Sequence, residues 1–340
     1  MLDVLRTVVR RVEGFPGFAQ TKTANARITL MVRFVTAEEI AGAALPVRPI
    51  YDLVVEGFTL CGRGEAECPP KAGIHTRPGA FTHAMPAYLP TKDIAGSKII
   101  SVYPGNDAIG VPSTNGIIIM SDAETGIPST VLDASWITSM RTAMVSMVDV
   151  AHLANPQPTF GIVGATGVTG RAHIEAIAAI YPGSRILVGS REPERLKALF
   201  ADTASTDVTL VTTHSNEEIV RGSDVVIVCT SHLPEPILSP EWLHPGHNVL
   251  NVHSRGWPCD VLSAVDLVSC DDRRPITDPV SGLLGCYPDL DPDVELGQVV
   301  VGAHVGRETS EQVVFSFNYG LAVFDILVAD HVLRSLEPRD

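Results

Sequence analysis

Apolar and polar positions along the chain follow two different rhythms, one before and one after residue 155. In the first half, Thr36-Ala37-Glu38-Glu39 has the form of a capping box, with the Thr36 hydroxyl covering a free amide and Glu39 reaching back, so a short helix is expected there. Ile50 to Phe58 is helical by spacing and Cys61 to Pro70 is turn-rich. Extended runs are expected around His83 to Tyr88, Lys98 to Tyr103 and Ile117 to Met120, with a polar turn at Asp122 to Pro128. Trp136, Met140, Met144, Met147, Val148 and Ala151 form one stripe, which predicts a core-facing helix over Thr138 to Ala154. Asn155-Pro156-Gln157-Pro158 stops that helix and marks a domain boundary, because neither proline can continue the hydrogen-bond ladder.

Beyond the boundary, strands and helices alternate. Strands are expected at Thr159 to Val163, Ile186 to Val188, Val208 to Val211, Val225 to Cys229 and Asn248 to Val252. Helices are expected at Arg171 to Ile180, Glu192 to Ala201 and Asn216 to Arg221. Short, wholly apolar strands separated by helices are what a parallel sheet covered on both faces requires. A last helix, from about Glu311 to Leu336, is expected to fold back on the first half.

Composition narrows the functional classes. At 45% hydrophobic and 19% charged residues the chain can bury a core, unlike a disordered segment. Its 25 basic against 39 acidic residues leave a net charge of −14, a field that repels nucleic acid and anionic lipid, so neither is expected as a partner. Apolar runs are strand-length, too short to span a bilayer, and Met1 to Gln20 does not read as a secretory signal; a cytoplasmic location is expected. Six cysteines without a CxxC pair are expected to be free thiols. His244 and His247 flank Pro245-Gly246, which predicts a loop with two surface histidines rather than a metal site.

The most specific local signal is Gly164-Ala165-Thr166-Gly167-Val168-Thr169-Gly170, placed after a strand and before a helix. A pyrophosphate must approach the backbone closely, and the helix N-terminus offers it unpaired amides and a positive dipole. The spacing is GxxGxxG, one residue longer than the usual dinucleotide fingerprint. The next strand ends Val188-Gly189-Ser190-Arg191, where NAD-preferring sites carry an acid. Ser190 and Arg191, with Arg195 one turn on, suit a 2′-phosphate, so NADP(H) is expected to be preferred and NAD(H) possible. The alternative is that Arg191 pairs with Glu192 or Glu194. Arg141 falls three residues after the expected N-cap Thr138, where a cation opposes the helix dipole and calls for an anion to hold. Lys98 shares a strand face with Ile100 and Val102, so it either snorkels from an edge or lines a pocket.

Taken together, Pro69-Pro70-Lys71, Met85-Pro86-Ala87-Tyr88, Gly96-Ser97-Lys98, Pro104-Gly105-Asn106, Ile137-Thr138-Ser139-Met140-Arg141-Thr142-Ala143, the glycine turn, Glu295-Leu296-Gly297 and Gly320-Leu321-Ala322-Val323-Phe324-Asp325 resemble the ornithine cyclodeaminase and mu-crystallin family, in family order. The resemblance implies an α/β protein with a Rossmann-type doubly wound dinucleotide-binding domain at 155–305. It also implies an α+β substrate-binding and dimerisation domain at 33–154 plus 306–340, completed by the C-terminal helix, with an N-terminal extension at 1–32. A homodimer is implied. The carboxylate-holding cations would fall on Lys98 and Arg141, with Lys71, Arg77 and Asn106 as further substrate contacts. Thr142, Gly164, Ala165, Thr166, Gly167, Val168, Thr169, Ser190, Arg191, Arg195, Cys229, Thr230, Ser231, Val252 and His253 would face the cofactor.

One departure shapes the expected chemistry. Cyclodeaminases carry an aspartate near the position of Gly256, where this chain has no carboxylate; Asp260 comes several residues late. Without a placed base the water-addition step loses a contribution of about 10² to 10⁴. The expectation is therefore an NAD(P)-dependent oxidoreductase acting on a small 2-imino acid or ketimine, or on the corresponding amino acid. Lys98 or a water it holds is the expected proton donor, with His253 a second candidate. The alternatives are a cyclodeaminase using Asp260 and a protein that retains NADPH and a small ligand without turnover.

Overall fold

The computed structural model describes residues 32–189, 208–230, 233, 235–252, 256–274 and 290–337. The expected extension therefore lies outside the described residues except for Val32, as does the helix expected at Glu192 to Ala201.

Residues 33–133 build a six-stranded sheet. Its strands are β1 (Arg33–Val35), β2 (Ala72–Arg77), β3 (Ala80–Leu89), β4 (Ile94–Val102), β5 (Thr114–Ser121) and β6 (Pro128–Asp133), ordered β1-β6-β5-β4-β3-β2. Only the β1–β6 pair is parallel. Strand β6 is the one to which the polar turn at Asp122 to Pro128 leads, whereas β1 and β2 have no counterpart among the expected strands, because neither shows a sustained alternation. Helix α1 (Ala37–Gly42) opens with the capping box expected at Thr36 and Glu39, and α2 (Arg48–Gly62) starts with Pro49 in its first turn.

Helix α3 (Ser135–Leu153) starts three residues earlier than expected, because the Asp133 carboxylate accepts the Ser135 amide and Ala134 takes the N-cap. Thr138 is thus inside the helix, its backbone amide bonded to the Ala134 carbonyl, and Arg141 sits in the second turn. The dipole argument for an anion at Arg141 does not apply. The anion itself is present nonetheless, as shown below.

The second half forms an eight-stranded sheet with strands β7 (Phe160–Val163), β8 (Arg185–Gly189), β9 (Thr209–Thr213), β10 (Val225–Val228), β11 (Asn248–Asn251), β12 (Leu267–Cys270), β13 (Val294–Glu295) and β14 (Val314–Phe317). All the pairs are parallel and the order is β13-β12-β14-β11-β10-β7-β8-β9. Helices α4 (Val168–Ile180), α5 (Asn216–Arg221) and α6 (Leu296–Val300) follow or connect these strands. The order reverses between β7 and β10, so the crevice above their C-terminal ends is the ligand-binding position of a doubly wound sheet.

The last expected helix begins late. Val313, Val314, Phe315 and Phe317 are apolar with Ser316 among them, a short buried segment that fits strand or helix equally. It forms β14, inserted between β11 and β12, and α7 spans only Ala322–Leu336. Residues 306–317 therefore belong with the second sheet, and the chain returns to the first sheet after Phe317. There α7 packs on β3, β4 and β5 and against α2 and α3. One hydrophobic core continues from beneath the first sheet through α3 and α4 to β7, β8 and β10.

Two side-chain expectations need correction. Cys259 is disulfide-bonded, whereas Cys61, Cys68, Cys229 and Cys270 are free; sequence spacing does not report which cysteines meet in space. His247 is buried, its Nε2 within hydrogen-bond distance of the Val220 and Ser223 carbonyls, so the turn is pinned to the sheet rather than displayed.

Candidate active site

Strand alternation delivers the first cation. In β4 the side chains of Ile94, Lys98 and Ile100 turn inward, and Lys98 is 1% exposed. Because β4 is paired on both sides, by β3 and β5, Lys98 cannot snorkel from an edge. Its Nζ lies 2.6 Å from Asp325 Oδ2, and Arg141 Nε of α3 lies 2.8 Å from Asp325 Oδ1. Asp325, in the first turn of α7, is fully buried. It stands in an otherwise apolar stretch, Leu321 to Ala329, and an acid in such surroundings is buried only with cationic partners. That pattern is the signal from which sequence reasoning could have found it.

A third cation joins from β2's leading edge. Lys71 Nζ donates to the Tyr319 carbonyl at 2.5 Å, the next residue's amide (Gly320) donates to Asp271 Oδ2, and Asp271 immediately follows β12. Gly320 has φ +75, and a Cβ there would overlap the Arg141 guanidinium. Glycine is thus required both by the backbone and by the space Arg141 fills. Cys68, Pro69, Pro70, Lys71, Met85, Gly320, Leu321 and Ala322 line a cavity at this junction, with Asp272 at its wall.

The electrostatics follow from burial and pairing. Burial, with help from Arg141, lowers Lys98 to about 7 even though Asp325 opposes the shift. Burial likewise lowers Lys71 to about 8 against the pull of Asp271. Asp271 is raised to about 6 by burial, against Lys71. Burial disfavours the Asp325 carboxylate, but Arg141 and Lys98 outweigh it and hold this group below its usual range. With all groups ionised, Lys71, Lys98 and Arg141 face Asp271 and Asp325, leaving one positive charge uncompensated. Arg141 Nη1 is buried without a hydrogen-bond partner among the described residues.

The other expected substrate contacts do not join this cluster through any described bond. Arg77 is exposed at the end of β2, and Asn106 Nδ2 donates to the Pro112 carbonyl at 3.0 Å, fastening its own loop.

The glycine turn lies over the C-terminal ends of β7 and β10. Gly164 has φ +93, and a Cβ on it would come within 3.0 Å of the Cys229 carbonyl group and the Thr230 amide. A Cβ on Gly170 would overlap the Gly164 carbonyl oxygen, so the helix can approach the strand only with glycine at both positions. No side chain caps α4, whose first intrahelical bond runs from the Arg171 amide to the Gly167 carbonyl. Thr166, Gly167 and Val168 are exposed at the turn, Thr169 is half-buried and Ala165 is buried.

Those uncapped amides suit a pyrophosphate. Two buried asparagines at the same sheet edge add to the fit: Asn318 Oδ1 and Nδ2 and Asn251 Oδ1 have no partner among the described residues. Val252 is buried, its amide bonded to the Val228 carbonyl, and Cys229 Sγ faces the Val163 and Gly164 carbonyls, where burial raises its thiol to about 12. Thr142 Oγ1 donates to the Thr138 carbonyl at 2.6 Å on the α3 face that, one turn on, presents Ser146 to His173 of α4. His173 is lowered by burial to about 4 and is a neutral bridge between the two helices. Ser190, Arg191, Arg195, Ser231 and His253 lie outside the described residues.

Comparison with known proteins adds a family to this geometry. Residues 32–339 match the model of the ornithine cyclodeaminase/mu-crystallin family. The chain is 30% identical to the nodulation efficiency protein NfeD of Rhizobium meliloti, over 90% of this chain and 96% of that one. It is 28% identical to a Delta(1)-pyrroline-2-carboxylate reductase of Bacillus cereus, over 75% of this chain and 81% of that one. Among solved structures, the Thermococcus litoralis Delta(1)-pyrroline-2-carboxylate reductase in complex with NADH and L-proline superposes with a TM-score of 0.81. That match has 23% identity and covers 89% of this chain and 97% of that one.

Proposed function

Since this chain belongs to the ornithine cyclodeaminase/mu-crystallin family, we propose that it is an NAD(P)-dependent oxidoreductase of small 2-imino acids, interconverting a ketimine and the corresponding amino acid. The observation that carries this reading is the buried cluster with one uncompensated positive charge. Burying a lone cation is costly, and an incoming α-carboxylate completes the balance. Arg141, whose Nη1 is unpartnered among the described residues, and Lys98 would grip that carboxylate and fix the orientation of the adjoining C=N carbon.

The glycine turn Gly164 to Gly170 and the edge formed by Thr142, Cys229, Thr230 and Val252 would hold the dinucleotide, which when bound supplies or accepts the hydride. Ser190, Arg191 and Arg195 remain the basis for preferring NADP(H) to NAD(H). Lys98, at about 7, is matched to proton exchange with the substrate nitrogen near neutral pH, directly or through a water. Asp260 is exposed on a 3₁₀ turn, away from a role as buried base, which favours redox chemistry over the cyclodeaminase alternative.

We further propose that the protein acts in the cytoplasm as a homodimer. Ile99 and Ile117, paired across β4 and β5, and Ile74 of β2 are exposed on the first sheet, an apolar face that a second copy would cover. No helix among the described residues is long and apolar enough to cross a membrane.

The reading is tested by supplying cyclic 2-imino acids, and 2-oxo acids with ammonia or methylamine, while following absorbance of NADPH and of NADH. Oxidation of either nucleotide by a member of this panel is expected. Ammonia release from ornithine without net nucleotide change would replace the reading with a lyase, and tight binding of NADPH with no turnover would replace it with a binding protein.

A further inference from the structure

Lys98 and Arg141 approach each other from a strand and a helix that are distant in sequence, and two buried cations would repel unless something lay between them. What lies between them is Asp325, with one carboxylate oxygen on each: Oδ2 on Lys98 Nζ at 2.6 Å and Oδ1 on Arg141 Nε at 2.8 Å. All three side chains are essentially removed from solvent, at 1%, 3% and 0% exposure. By taking Nε, Asp325 leaves Nη1 of the guanidinium without a hydrogen-bond partner among the described residues. Gly320 contributes the space into which the guanidinium fits.

We infer that Asp325 is the positioning residue of the carboxylate-binding site: it turns the Nη edge of Arg141 and one face of the Lys98 ammonium toward the substrate and holds them at one spacing. The inference rests on the reading of the cluster as a substrate site and adds a role for a residue that would not itself touch the substrate.

The charged groups that act most on Lys98 are Arg141 from α3, Asp325 from α7 and Lys71 from the segment before β2, and of these Asp325 favours the ammonium. A carboxylate ligand needs Lys98 protonated, so affinity falls as pH rises through the Lys98 titration, which is centred near 7. Removing the Asp325 charge removes the main influence raising that value, and the limb moves to lower pH. A residue serving only as packing would move stability and leave the limb in place.

The experiment uses the full chain and pyrrole-2-carboxylate, a planar carboxylate that cannot accept hydride, with binding measured calorimetrically from acid to alkaline pH. For Asp325→Asn, affinity at neutral pH is expected to fall by about tenfold or more, and the limb to move down by about one to three units. Binding of NADPH is expected to be retained. Asp325→Glu keeps the charge and lengthens the arm, so its limb is expected to stay near that of the unmodified protein while affinity falls. If Asp325→Asn does not fold, Asp325→Glu decides alone, because unchanged affinity there overturns the positioning role. Unmodified protein that binds no small carboxylate would sink the functional reading and this inference together. Unmodified protein that binds, with both variants binding equally well and with the same pH limb, would sink the inference alone.

Discussion

In the proposed reading the glycine turn and the cation cluster both meet negative charge, and they do so by opposite means. Between Gly164 and Gly170 the turn is exposed at Thr166 to Val168, the amides of α4 are uncapped, and side chains must be absent at Gly164 and Gly170. At Lys98 and Arg141 the charges belong to buried side chains and at Lys71 to a half-buried one, and each has a partner in place before any ligand arrives. The first kind of site costs little to hold empty. The second is stable only because Asp325 and Asp271 already occupy it. On that reading a ligand phosphate would be recognised by local geometry alone, whereas a small carboxylate would be recognised by a charge balance assembled from several elements.

The largest expected effect comes from breaking the second site. Arg141→Ala should weaken pyrrole-2-carboxylate binding and turnover by about 10²-fold or more, since it removes one partner of a buried ion pair and leaves Lys98 alone on Asp325. NADPH affinity, read by quenching or enhancement of nucleotide fluorescence, should not change. Loss of both affinities together would show that the two sites are one unit.

Gly164→Ala makes the converse cut. It forces an alanine to φ +93 with its Cβ 3.0 Å from the Cys229 carbonyl, at a cost of about 1–3 kcal/mol. Titration should show weakened NADPH binding, with pyrrole-2-carboxylate affinity and its pH limb kept.

The smallest expected effect is at Asp149, a buried carboxylate of α3 that accepts from Asn248 Nδ2 at 3.0 Å and belongs to neither site. Burial raises it to about 6, against the hydrogen bond from Asn248. Between the ordinary carboxylate range and about 6 the native state therefore holds a proton that the unfolded chain has released, so stability declines as pH rises through that window. Asp149→Asn should flatten that decline in Tm while leaving both ligand affinities alone. Asp271, raised for the same reason, would keep part of the slope in the variant. An unchanged slope would show that Asp149 ionises freely in the folded protein.

The same contrast explains what could be read in advance. The glycine turn was legible because its requirement is local: strand, three spaced glycines, helix. Lys98 was legible as an inward-facing charge because β4 alternates. Its partner is not, because Asp325 lies 227 residues further on, in a helix that follows β14, whose Val314, Phe315 and Phe317 suit helix and strand alike. At Arg141 the helix-terminus argument does not hold: the Asp133 side chain starts α3 early, so no helix terminus lies beside Arg141, and its anion comes instead from α7. Asp271 follows an ordinary buried strand, and no local pattern marks it as a neighbour of Lys71.

Strand β14 has a bearing on how the polypeptide can be handled. It is stitched between β11 and β12, and four residues later the chain becomes the helix that seals the other sheet. Excising either half as a separate module would strip the nucleotide half of an interior strand or the remaining half of its covering helix and of Asp325. Neither fragment is expected to be a usable reagent, and any split version of this protein would have to keep Val314 to Leu336 continuous while dividing the chain elsewhere.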